Sequence, residues 1–244
     1  MTIRIAMWSG PRNLSTAMMR SFGSRPDTTV SDEPFYGAYL QQTRDPQPMA
    51  DEVIASMDCD WVSVARSMAG PSPNGAPVWY QKHMAHHMVG PIGHDDLPGL
   101  RHAFLIRDPS RVVASYSAKR VAVRPDHLGT ARQVEFFERE ADRLGHAPPV
   151  VDSADVLDDP EATLSLLCEA LGIPFDRAML SWKRGVRDTD GIWGSHWYDA
   201  VANSNGFGPP DNHPLKLTAE EQAVADACRP DYERLSKYAL RGPQ

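Results

Sequence analysis

Residues 3–16 read IRIAMWSGPRNLST. The apolar run IRIAMW has strand composition, Ser9, Gly10 and Pro11 break it, and LSTAMMRSF that follows has the composition of a helix. Strand, tight loop and helix in this order form the opening half of a βαβ unit. A helix that starts where a strand ends offers free backbone N–H groups and the positive end of its dipole, so this loop is an expected anion site. Its candidate ligands are Gly10, Pro11, Arg12, Asn13, Ser15 and Thr16. A nucleoside triphosphate loop of the form G-x-x-x-x-G-K-S/T needs a lysine that is missing here. Counting from Gly10, the closing positions hold Ser15, Thr16 and Ala17. What remains is one guanidinium and two hydroxyls, a set suited to a tetrahedral oxyanion. Taken alone, the loop reads equally well as a tight turn in which Ser15 and Thr16 cap the helix.

Working outward, TTVSD at 28–32, APVWYQ at 76–81, RHAFLIR at 101–107 and PPVVDS at 148–153 read as further strands. Helical segments are expected near 50–69, 109–123, 126–145 and 159–172, the last opened by Asp159-Pro160 and closed by Gly172 and Pro174. This alternation predicts an α/β fold with a mostly parallel sheet of about five strands and helices on both faces. At 244 residues, one domain over 1–244 is the default. The stretch 44–77 carries five prolines and two glycines around one helix, which predicts a flap inserted at about 36–75 over a pocket. Residues 185–214, rich in Gly, Asn, Asp and Trp, predict a long lid loop.

Composition narrows the function. Hydrophobic residues at 41% and charged residues at 23% are ordinary for a globular chain, and a net charge of −7 argues against bulk nucleic-acid binding. The start of the chain shows no basic leader or cleavage site, and no apolar run approaches the ~20 residues that span a bilayer, so a cytoplasmic protein without a membrane partner is expected. Cys59, Cys168 and Cys228 are odd in number and widely spaced, which suits neither a disulfide framework nor a zinc site.

A second stretch gives the loop a companion. In FLIRDPSRVVASY, Arg107 ends an apolar strand and Ser115 follows eight positions later, about two turns into the next helix, so both are expected to face one pocket. A strand-terminal R-D/N-P with serine at plus eight resembles the 3′-phosphate site of sulfotransferases that use 3′-phosphoadenosine 5′-phosphosulfate (PAPS). In that family the first strand ends in a loop similar to P-K/R-S-G-T-T, onto which Pro11 to Thr16 fall in order, with Leu14 in place of the glycine. The stretch VVDSADVLDDPEATLSLLCEALGIPFDRAMLSW is similar to the family's fifth strand and following helix. The matches run from Ile3 to about Trp182. The resemblance implies a P-loop NTPase-like three-layer sandwich, PAPS as co-substrate with no metal required, and a small-molecule acceptor. It also implies that Arg107 and Ser115 hold the 3′-phosphate.

Sulfuryl transfer needs cations for the charge on the transferring oxygens and one base for the acceptor proton. Lys82 and His83 in VWYQKH resemble the family's K-x-H region, in which histidine is the base and lysine supports the leaving oxygen. Glu33, in SDEPFYG, matches the place where some members carry a glutamate base. The two bases compete for one role. The alternative reading of Glu33 is a cap for the helix opened by Pro34, and that of His83 a partly buried strand-end histidine. HMAHHM also invites a metal reading, because His83, His86 and His87 would share one face of a helix. Late in the chain, Arg184 and Arg187 are candidates for phosphate contact, with Trp193, His196 and Trp197 for stacking; the resemblance assigns Arg184 to a basic-glycine segment that closes on the nucleotide. Two rivals stand beside a sulfotransferase: a P-loop-like kinase, disfavoured by the missing lysine, and a non-catalytic module that binds 3′-phosphoadenosine 5′-phosphate (PAP).

Overall fold

The computed structural model describes residues 2–120, 122–210 and 213–242. Val121 of the predicted helix 109–123, and Asp211 and Asn212 of the predicted lid, lie outside the described residues, as do Met1, Pro243 and Gln244.

Five strands, β1 (Ile3–Ser9), β2 (Thr28–Asp32), β3 (Val78–Met84), β4 (Leu100–Ile106) and β5 (Val150–Asp152), form one sheet in the order β2-β3-β1-β4-β5. Every pairing in it is parallel. Central strands of such a sheet bury both faces, and successive side chains alternate between them. Ile5 and Met7 of β1 therefore pack with Tyr80, Ala103, Leu105 and Val151 in one layer, while Ala6 and Trp8 pack with Trp79, Phe104 and Ile106 in the other. Helix α1 (Ser15–Gly23) covers the first layer with Met18, Met19 and Phe22. The result is the parallel sheet covered by helices that the alternation predicted, in the P-loop-like three-layer form that the resemblance implied.

Four predicted elements differ from those observed, and one of them, the helix expected at 109–123, ends at Ser117. The strand expected at 76–81 begins at Val78 and runs on through Met84, because Pro77 has no N–H for the ladder. Lys82 and His83 thus lie within β3. The helix expected at 50–69 is two, α3 (Ala50–Ser56) and α4 (Trp61–Ala69), since Asp60 accepts the Ser63 N–H at 2.7 Å and starts a new helix; α2 (Tyr36–Thr43) precedes them. After α5 (Pro109–Ser117), the helix expected at 126–145 breaks at Gly129 into α6 (Pro125–Leu128) and α7 (Thr130–Leu144). Gly129 has φ 70, and a β-carbon there would overlap the His86 backbone, so only glycine lets α7 start this close to the end of β3.

Helices α8 (Ser153–Asp158) and α9 (Pro160–Ala170) follow β5, and the expected lid contains two short helices, α10 (Gly194–Trp197) and α11 (Asp199–Ala202). The last helix, α12 (Ala219–Ser236), opens on a reciprocal cap: Glu221 N–H donates to Thr218 Oγ1 at 3.2 Å, and Thr218 N–H donates to Glu221 Oε2 at 2.8 Å. Beyond α12, Leu240 N–H donates to the Val150 carbonyl of the edge strand β5 at 2.9 Å. No helix of the described residues is long and apolar enough to cross a membrane.

Candidate active site

The carboxyl ends of β1, β3 and β4 open into a cavity of about 290 Å³ on the α1 side of the sheet. Pro11, Arg12, Leu14, Ser15, Thr16 and Ala17 form one part of its wall. Arg12 and Leu14 have φ of 59 and 70, so the loop holds two non-glycine residues in the left-handed region, a strain typical of functional turns. The start of α1 has no side-chain cap, so Ser15 and Thr16 do not serve as the caps of the alternative reading. Gly10 and Asn13 do not line the cavity. A β-carbon on Gly10 would overlap the Leu128 carbonyl, and the buried Asn13 donates to the Leu105 carbonyl at 3.2 Å, which ties the loop to β4.

Arg107 and Ser115 come to the same cavity. Arg107 Nη1 donates to the Arg12 carbonyl at 2.7 Å, while Arg12 Nε donates to Ser115 Oγ at 2.9 Å. The sequence reading gave the loop and the Arg107–Ser115 pair to separate phosphates, and the structure bonds them directly. Asp108 accepts the Ser110 and Arg111 N–H groups at the start of α5. Burial lowers the pKa of Arg12.

Alternation along β3 separates the two adjacent catalytic candidates. Lys82 and Met84 face the cavity; His83 points to the other layer. There it stacks on Trp8 with ring centroids 4.5 Å apart and contacts Gln81 Oε1 at 3.1 Å, and burial lowers its pKa to about 3. His83 is the buried histidine of the alternative reading and has no access to the cavity. Without it on their face, His86 and His87 also lack the three-histidine set of the metal reading. Another buried group, His94, His102 and Glu140, has ligand atoms within 4.8 Å of one another. Its atoms are already engaged: His102 Nδ1 accepts from Trp8 Nε1 at 2.9 Å, His94 Nε2 lies 2.8 Å from Glu140 Oε2, and Arg143 bonds both Glu140 oxygens.

Glu33 lines the cavity with a strained φ of 46. Its side chain does not cap α2, which has none, but accepts from Lys82 Nζ at 2.5 Å. Lys82, 1% exposed, also donates to Asp32 Oδ1 at 2.8 Å and to the Tyr198 hydroxyl at 2.6 Å. Burial opposes its charge, but the Asp32 and Glu33 carboxylates outweigh burial and raise its pKa, so it stays an ammonium. Burial pushes the Asp32 carboxyl upward, against the pull of Lys82. Tyr198 in turn donates to Asp32 Oδ2 at 2.8 Å and accepts from Trp193 Nε1 at 3.0 Å.

Tyr198 and Trp193 come from the lid. A buried fork fixes it, with Arg20 reaching Asp190 at 2.5 and 2.6 Å, and Gly191 N–H donates to Asp32 Oδ2 at 3.1 Å. Arg184 is exposed and Arg187 half-buried, and neither lines the cavity; Trp193 and Trp197 do. Sequence reasoning missed Asp32 and Tyr198 as site residues. The acidic pair Asp32-Glu33 at the end of β2 was a signal for Asp32; nothing local marks Tyr198.

A sulfotransferase domain family model matches residues 3–239, and the chain belongs to that family. Its fold is shared with the sulfotransferase domain from the curacin biosynthetic pathway (TM-score 0.55, 17% identity, 94% of this chain and 98% of that one). It is shared equally with a sulfotransferase from Alicyclobacillus acidocaldarius (TM-score 0.55, 13% identity, 100% and 98%). Two Arabidopsis thaliana proteins, branched-chain-amino-acid aminotransferase-like proteins 2 and 1, are each 32% identical over 95% and 96% of this chain. The chain spans 41% and 42% of their lengths, about two fifths of the curated relatives it matches.

Proposed function

We propose that this chain transfers a sulfuryl group from PAPS to a hydroxyl or amine of a small acceptor. The observation that carries the reading is the convergence, on one cavity, of the uncapped start of α1, Arg107 and Ser115 beside the Lys82–Glu33 pair. A bisphosphate nucleotide is recognised by cations and backbone N–H groups, and the loop and Arg107 supply both. The family's use of PAPS supports the choice of donor.

In the reaction, the acceptor oxygen or nitrogen forms a bond to sulfur while the bond from sulfur to the 5′-phosphate oxygen breaks. The acceptor's proton passes to Glu33, and PAP leaves with the electron pair of the broken bond. Lys82 keeps a positive charge near the transferring oxygens, where a fixed cation in a site shielded from water acts most strongly. Glu33, held by Lys82 in a strained turn, is positioned as the base.

The test is incubation of the protein with PAPS and a panel of small alcohols, phenols and amines, with sulfated product and PAP read by mass spectrometry. Matched formation of both supports the reading. PAP binding without product over the whole panel favours a binding module, and magnesium-dependent phosphoryl transfer from ATP favours a kinase.

A further inference from the structure

Beyond Glu33 the cavity is walled by Tyr36, His86, His87, Tyr116, Trp193 and Trp197. Tyr36 lies flat on His87, with centroids 4.5 Å apart and planes 2° apart, and His87 also stacks on Tyr39 at 4.8 Å. These contacts fix the imidazole rings. Burial drives the pKa of both His86 and His87 far below 6.5, so they are neutral. Their Nδ1 atoms are buried without a hydrogen-bond partner, and His87 is only 3% exposed. His87 Nε2 stands 4.0 Å from Glu33 Oε2.

Of the described cations lining the cavity, Lys82 is shared between Asp32, Glu33 and Tyr198, Arg12 donates to Ser115 Oγ and to the Trp197 carbonyl, and Arg107 donates to the Arg12 carbonyl. This part of the wall consists of ring faces, tyrosine hydroxyls, the Gln47 amide and the Glu33 carboxylate. A carboxylate or phosphate on the acceptor would be repelled by Glu33. An ammonium is drawn by aromatic faces and by the Glu33 carboxylate, and a neutral alcohol of the same shape is not.

We propose that the acceptor is a small cationic alcohol, an alkylammonium or amino alcohol whose ammonium head rests against Tyr36, His86 and His87 while its hydroxyl is presented to Glu33. The proposal rests on the sulfotransferase reading. Its chemistry is the transfer already written, with the acceptor oxygen bonding to sulfur, PAP leaving and the proton passing to Glu33.

The test compares three probes: choline, its uncharged isostere 3,3-dimethylbutan-1-ol, and the anion glycolate. Sulfate ester formation with PAPS is measured for each, along with calorimetric binding of each to protein saturated with PAP. Choline is expected to exceed the isostere by about tenfold in kcat/KM or in affinity, with glycolate weakest. The variant Tyr36→Leu should narrow that ratio. An isostere or glycolate preferred over choline, or no binding of choline to PAP-loaded protein, overturns the proposal and leaves the sulfotransferase reading intact. Failure to bind PAP, with no ester formed from any probe, overturns both.

Discussion

Lys82 Nζ donates to Glu33 Oε1 at 2.5 Å, although the two residues are 49 positions apart in the chain. Parallel pairing makes this possible: Lys82 lies opposite Asp32 in the β2–β3 register, so the residue after β2 turns over the end of β3. One ammonium then faces two carboxylates at the mouth of the sheet, where open α/β sheets bind their ligands.

Glu33→Gln keeps the shape of the side chain and removes its capacity to take a proton. Turnover should fall by about 100-fold to 10,000-fold with nucleotide affinity near the original value. His83→Ala is the contrast, because its ring is packed on Trp8 away from the cavity. It should lower stability by about 1–3 kcal/mol and leave the specific activity of folded protein largely intact. Steady-state kinetics with denaturant unfolding checks both; a dead but stable His83→Ala beside an active Glu33→Gln would remove Glu33 from the base role.

PAP should stabilise the protein more than ATP, since PAP alone carries the 3′-phosphate assigned to Arg107 and Ser115. A ligand at about 100 times its dissociation constant adds about 2.7 kcal/mol, which raises the midpoint of a chain this size by several degrees. Arg107→Ala should erase the difference between the nucleotides. Arg241→Ala, at a half-exposed arginine paired with Asp155, should preserve it. Differential scanning fluorimetry reads the shifts, and equal shifts in the unmodified protein would contradict the assignment.

Tyr198→Phe deletes a buried hydroxyl that meets Lys82, Asp32 and Trp193. The Trp193 N–H and one Lys82 proton lose their acceptor, so unfolding should become easier by about 1–3 kcal/mol. Denaturation followed by tryptophan fluorescence measures this. A neutral result would mean that the lid does not hold Tyr198 in the Lys82 cluster in solution.

The pair His94–Glu140 gives a pH signature away from the cavity. Burial disfavours the His94 imidazolium, but hydrogen bonds to Glu140 and Asp95 outweigh it and raise the pKa above 6.5. Its contribution is full below 6.5 and fades as pH rises through the folded value. For Glu140, burial works against ionisation, yet Arg143 and His94 lower the pKa from 4.5 to about 2, so its contribution is present above 4.5 and fades as pH falls toward 2. The pair is therefore strongest between the two unperturbed values. Glu140→Gln should cost more stability near pH 5.5 than near pH 8.5, by urea unfolding at each pH, with a residual cost at the higher pH from Arg143, which stays charged. An equal cost at both would show that His94 is not charged in the fold.

Much of the architecture was legible because its signals are local. The strand-loop-helix at 3–16, the Asp-Pro helix starts at 108 and 159, and the alternation of apolar strands with helices depend on neighbours in the chain, and each is found in the fold. Arg107 and Ser115 were legible for the same reason, since a helix two turns long fixes their spacing. Other features required the whole structure. Which of the adjacent Lys82 and His83 reaches the cavity turned on which face of β3 meets α1, a matter of strand register and length that began with Pro77. Asn13 and Gly10 became braces because β4 and Leu128 stand against them. Tyr198 entered the site only when Arg20 and Asp190 drew the lid across the sheet. Sequence alone determined the five strands, the strand-loop-helix opening and the Asp-Pro helix starts, through backbone propensity; tertiary packing decided which side chains share the cavity, because that depends on contacts between residues far apart in the chain.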